Sequence, residues 1–177
     1  MKTVRVVVVI CAVFAFFMPA VSAQPPAPKP GPEHERLKQL EGTWEATVRA
    51  GEGESKGIMT YKMGLGGLWL VSDFKGEFGG QKFEGKGFDG YDAIKKKYVG
   101  VWVDSMSATP MLGEGTFDKE GKVLTHFGEA PGMDGKMSKY KSVIEIKDHD
   151  TMMFTMSSPD KEGKDQPMLT IMYKRKK

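Results

Sequence analysis

From Thr43 onward apolar and polar residues alternate. Trp44, Ala46, Val48 and Ala50 fall on one side and Thr43, Glu45, Thr47 and Arg49 on the other, the period of two that marks a strand with one buried face. Comparable runs recur at 57–63, 68–78, 82–91, 97–105, 111–117, 122–127, 139–147, 151–157 and 167–175, so the pattern predicts about ten strands. The connectors are short and suit hairpins: Gly79-Gly80, then Asp118-Lys119-Glu120-Gly121, then Asp148-His149-Asp150. Parallel neighbours would need crossovers of about a dozen residues or more. No helical period appears between Thr43 and Lys177, so nothing covers the second face of an open sheet. Closing the sheet on itself removes the two long edges that a meander would leave. The expected fold is therefore all-β, a single up-and-down antiparallel barrel of about ten strands.

Glycines at 85, 87, 100, 113 and 115 sit inside these strands and fit a strongly curved sheet. With Gly79-Gly80 as the turn, Phe74 lies opposite Gly85, where its ring covers the glycine gap. Before the first strand, Pro32, Glu33 and Glu35 suit a helix start and Leu37 and Leu40 share a face. Gly42 is then the residue free to adopt the left-handed conformation that stops this short helix. Residues 24–32 are rich in proline and predict an extended tether, leaving 33–177 as the folded domain. Residues 1–23 carry Lys2 and Arg5, an apolar run from Val6 to Phe17 and small residues at Val21-Ser22-Ala23, the pattern of a cleaved signal peptide. That run is shorter than the roughly 20 residues needed to span a bilayer, so the expectation is an exported protein, periplasmic or secreted, without a stable membrane anchor.

Gly42-Thr43-Trp44, opening the first strand behind a short helix, resembles the Gly-x-Trp signature of the calycin (lipocalin-like) superfamily. The resemblance implies that Trp44 closes one barrel end under a basic residue of the last strand, for which Lys174 and Arg175 are the candidates. With Gly87-Phe88-Asp89-Gly90-Tyr91-Asp92 and the run from Tyr98 to Met106, the region from His34 to Lys177 also resembles a family of secreted bacterial proteins known only as a domain of unknown function. That resemblance implies a lipocalin-like barrel and no activity.

Composition removes several chemistries. The single cysteine, Cys11, lies in the predicted leader, so the mature chain has neither disulfides nor a thiolate nucleophile. Taking Lys2 and Arg5 from the 26 basic residues leaves 24 against 23 acids, nearly neutral and interspersed, which gives no footprint for nucleic acid. Gly85-Lys86-Gly87-Phe88-Asp89-Gly90 spells a dinucleotide fingerprint but no helix follows to present its amides to a pyrophosphate, so its glycines are read as bends. The Gly-x-Ser-x-Gly, His-Glu-x-x-His and phosphate-loop patterns are all absent, and the protein is expected not to be an enzyme.

Of three histidines, His34 and His149 are expected in solvent. If Asp118 pairs with Lys122, His126 stands opposite Glu114, either as a surface pair or, facing inward, as the best polar anchor of the barrel. Nitric-oxide-binding haem barrels of similar architecture take a proximal histidine from late in the chain. No histidine follows His149 here, which leaves His126 as the ligand in a haem alternative. Three scattered histidines suggest no zinc cluster, and the eleven methionines that follow the predicted leader, dispersed over many strands, read as adaptable core or pocket lining rather than a copper site. The leading expectation is a non-enzymatic barrel, without cofactor, that holds a small apolar or amphipathic ligand. Trp69, Tyr91, Trp102, Asp104, Glu114, His126, Phe154 and Met156 are its candidate walls and anchors. The alternative is a filled barrel acting on a protein partner through loops at 129–138 and 157–166.

Overall fold

The computed structural model describes residues 27–132 and 135–177; the predicted leader at 1–23 lies outside them. The described residues form one short helix, α1 (Pro32–Lys38), and ten strands. These are β1 (Gly42–Ala50), β2 (Gly53–Gly64), β3 (Trp69–Phe78), β4 (Gln81–Asp92), β5 (Lys97–Asp104), β6 (Ser107–Phe117), β7 (Val123–Pro131), β8 (Met137–Ile146), β9 (Thr151–Pro159) and β10 (Asp165–Arg175). Each pairs antiparallel with the next, and β1 pairs with β10, so the sheet closes as the alternation predicts. Gly79 and Gly80 both take positive φ, 58° and 76°, the conformation of a two-residue hairpin turn.

The end of the barrel behind β1 is plugged. Proline at the start of α1 wastes no amide, and the Nδ1 of His34 accepts the Gly31 N–H at 2.9 Å, so His34 is buried as a cap rather than solvated. Leu37 and Leu40 bury themselves in the barrel end beside Leu70, Leu124 and Met152. The Trp44 indole N–H donates to the Leu40 carbonyl at 3.0 Å, and the Arg175 guanidinium stands 4.0 Å over the indole. Arg175 also donates to the carbonyls of Glu41 and His149, tying the first strand to the last. Lys174, the other candidate for this lid, alternates to the outer face opposite Glu45 and is exposed. Gly42 does not stop the helix, which ends at Lys38 with Gln39 still right-handed. Instead it opens β1 at φ +134°, where a Cβ would strike the Arg175 guanidinium.

Two local expectations shift. The Asp118 carboxylate accepts the amides of both Lys122 and Val123, at 2.8 and 3.1 Å, so the β6–β7 loop holds one residue more than expected. His126 therefore pairs with Gly115, and Glu114 faces Phe127 on the other side of the sheet, because a one-residue slip moves a side chain through the wall. Phe74 does pair with Gly85, yet the ring over Gly85 belongs to Trp102, whose Cη2 would lie 2.7 Å from an added Cβ. Phe74 leans over Gly57 and Gly76 instead. In the coiled sheet, inward rings lean toward the preceding strand, Phe74 from β3 onto β2 and Trp102 from β5 onto β4.

The seam sets a test of which base is the lid. Arg175→Ala should cost about 1–3 kcal/mol in urea unfolding, from the lost stacking and hydrogen bonds, and Lys174→Ala less than about 0.5. Equal losses in the two variants would contradict this closure.

Candidate functional site

The barrel interior is not filled. A cavity of about 520 Å³ runs from the plugged end toward the hairpins of the opposite rim, where Phe78, Phe83, Met106 and Met111 line its mouth. Below it, edge-to-face contacts join Tyr91 to Tyr98 and Tyr98 to Phe117, with ring centroids 5.2 and 5.0 Å apart. Tyr91, expected to line a site, thus belongs to the floor.

A row of glycines makes the space. Asp89 on β4, Gly100 on β5, Gly113 on β6, Gly128 on β7 and Tyr140 on β8 are successive partners across the sheet. Three neighbouring strands therefore put no side chain into the barrel at this level, and the residues at the two ends of the row lean over the gap. An added Cβ on Gly100 would come within 2.6 Å of the Asp89 carboxylate, and one on Gly113 within 2.5 Å of the Tyr140 hydroxyl. His126 lies across Gly115, its Cε1 3.7 Å from that same Gly100 position. Asp89, His126 and Tyr140 thus converge on one patch of bare backbone.

Of the candidates, Trp102, Asp104, His126, Phe154 and Met156 line the cavity. Asp104 sits at the rim, accepting the Trp102 indole N–H at 3.0 Å and the Met106 amide at 2.9 Å, so it sets the angle of the tryptophan wall. Two candidates fall elsewhere. Trp69 points outward and covers Gly90, 2.8 Å from where its Cβ would be, because β3 buries Leu70, Ser72 and Phe74. Glu114 is on the outer surface in ion pairs with Lys95 and Lys97, and the extra loop residue before β7 puts Phe127 rather than His126 opposite it. Asp89, Tyr61, Tyr140 and Tyr173 line the site without having been candidates. Alternation within β4 carried the signal for Asp89, which shares a face with Gly85, Gly87 and Tyr91.

Burial shapes the chemistry of these groups. It pushes Asp89 up from its ordinary 3.8 to about 7, and what surface the residue retains lies where it lines the cavity. The same desolvation takes His126 down from 6.5 to about 4, so the imidazole is neutral at physiological pH. Its Nε2 is buried without a hydrogen-bond partner and offers no open face to an incoming ligand. Tyr61 and Tyr173 are raised above the ordinary phenol value by burial. His126 pairs across the sheet with Ser142, yet its Nε2 makes no hydrogen bond to that hydroxyl. No group of His, Cys, Asp and Glu among the described residues is arranged to hold a metal ion.

Sequence comparison matches residues 29–175 to a family described as proteins of unknown function, DUF1579. The chain is a DUF1579 protein. No curated protein matches it in sequence. Among solved structures, Rv2717c from M. tuberculosis superposes with a TM-score of 0.61 at 14% identity, over 83% of this chain and 99% of that one. The S-type phycobiliprotein lyase CPES from Guillardia theta gives 0.52 at 12% identity, over 84% and 99%. At such identities the likeness is one of fold, and it places this DUF1579 chain among closed barrels.

The two buried groups oppose each other in their effect on stability. Asp89 contributes most where both states are protonated, below about 4, and its contribution is lost as pH rises through about 7. His126 contributes above 6.5 and that is lost as pH falls through about 4. Between these limits the two largely cancel. Relative to the parent, Asp89→Asn should lose up to about 4 kcal/mol as pH drops across this range, and His126→Gln up to about 3 kcal/mol as pH rises across it. Urea unfolding at several pH values measures both, and parallel profiles for all three proteins would refute the assignment.

Proposed function

We propose that this protein is an exported, non-enzymatic barrel that holds one small apolar or amphipathic molecule in its interior. The observation that carries the reading is the cavity of about 520 Å³, within the roughly 300–1,000 Å³ typical of small-molecule sites, with aromatic and methionine walls and a few convergent polar groups. A filled barrel acting only through its loops has no use for such a space. Leaving it empty also forgoes dispersion contacts along the whole glycine row, a cost that a bound molecule offsets. Export rests on the N-terminal charge and apolar run, and the non-enzymatic reading on the absence of an activated nucleophile around His126.

The haem alternative fits the site poorly. Axial ligation needs an imidazole nitrogen facing open space, whereas the His126 Nε2 is packed against the wall. Haemin titration should give no Soret band that His126→Ala abolishes; such a band would restore the haem reading.

Occupancy is measurable with a neutral apolar fluorophore. N-phenyl-1-naphthylamine should bind one to one, and Met156→Trp, which fills the cavity from β9, should weaken it at least about tenfold, with Met172→Trp on the outer face as the neutral control. Native mass spectrometry of protein purified from its own host should show a bound small molecule. Failure of the fluorophore to bind, together with an empty protein from the host, would remove the proposal.

A further inference from the structure

The cavity has a charge pattern that narrows what it accepts, a step that rests on the binding reading above. Glu77, Asp89 and Asp104 line it, and among the described residues no lysine or arginine does. His126, the one lining side chain able to become a cation near pH 6, is kept neutral by burial. Asp104 is already engaged at the rim by Trp102 and Met106. Asp89 is not, since burial is the sole influence on its carboxyl and it has no ion pair or hydrogen bond among the described residues. It lies four residues deeper along β4 than Gly85, the partner of Asp104, or about 13 Å of strand.

A buried carboxylate without a counter-charge is costly, and a ligand that supplies the charge recovers that cost on binding. The surrounding walls suit the same ligand. Phe74, Trp102, Phe154 and Tyr140 add aromatic rings, whose negative quadrupole attracts cations, and a mostly apolar lining in which the described charged residues are all acids focuses that attraction and repels anions. The glycine row leaves room for a head group where Asp89 leans over Gly100 and the Tyr140 hydroxyl over its partner Gly113.

We infer that the site selects amphipathic monovalent cations, an alkyl or aromatic amine whose ammonium group sits between Asp89 and the Tyr140 hydroxyl while its apolar body runs along Trp102 toward the rim. The carboxylate accepts from the ammonium group, the hydroxyl oxygen takes a second N–H, and the bare backbone of Gly100 and Gly113 admits both. Binding such a cation favours the ionised form of Asp89, so it releases a proton wherever the empty site is protonated. Affinity then rises with pH up to about 7.

Three probes with one apolar body separate head-group selectivity from simple burial: decylammonium, decanol and decanoate, titrated calorimetrically into the purified protein. Decylammonium should bind at least about tenfold more tightly than decanol, and decanoate at least about tenfold more weakly. Asp89→Asn, nearly isosteric and relieved of a buried charge, should lower decylammonium affinity about tenfold or more and leave decanol within about twofold. In the parent protein decylammonium affinity should also climb between about pH 5.5 and pH 7, a readout that needs no variant. Equal affinity for the three probes, a flat pH profile, or undiminished decylammonium binding by Asp89→Asn overturns the cation inference while decanol binding keeps the cavity reading. Failure of all three probes to bind overturns both.

Discussion

Closure of the sheet is the constraint from which the rest follows. Once β1 pairs with β10 there is no edge left to protect, but ten strands enclose more volume than their own inward side chains fill when three adjacent strands contribute glycine at one level. The seam that closes the barrel is correspondingly reinforced. Backbone pairing runs from Trp44–Arg175 to Arg49–Thr170, and the arginine at its end stacks on the indole while tying down two carbonyls. The glycine that opens β1 exists to let that guanidinium in.

Space inside the barrel is then divided unevenly. At the plugged end, helix and strand residues pack leucine against tryptophan and tyrosine with nothing to spare. Toward the other rim the lean of the inward rings leaves a hollow, because Phe74 and Trp102 cover glycines of the preceding strands and the row from Gly100 to Gly128 has few such neighbours. Asp89 leans the opposite way, onto the following strand, and so meets Tyr140 and His126 over the same bare backbone. A polar spot in an apolar hollow is the result.

That spot carries an electrostatic tension that the closed fold maintains. Desolvation alone moves the aspartate up and the histidine down, and among the described residues the aspartate has no ion pair or hydrogen bond and the histidine Nε2 has no hydrogen-bond partner. A chain selected only for stability would lose little by replacing both with apolar residues, since unpaired buried polar groups each cost about 1–3 kcal/mol. Their presence beside a hollow of ligand size, among Glu77, Asp104 and aromatic side chains, is the feature on which the proposed binding of a small molecule rests.

The alternation of side chains determined the class of fold, the strand number and the antiparallel order, because a period of two over ten short runs joined by hairpin-type turns admits little else. Of the candidate walls and anchors, Trp102, Asp104, His126, Phe154 and Met156 line the interior, although for His126 the alternation left the facing open. The expected pairing of Glu114 with His126 failed for a local reason, since one residue more in the turn shifts every partner beyond it, and the Asp118 carboxylate holding two amides decides that count. Trp69 falls outside because β3 buries the alternate set Leu70, Ser72 and Phe74. Asp89 was visible by parity yet hidden inside a glycine pattern that suggested another chemistry. Which glycines align into one row, which ring covers which gap, and hence whether the barrel is hollow, depends on register across five strands at once. Those are contacts between residues far apart in the chain, and only the closed tertiary structure determines them.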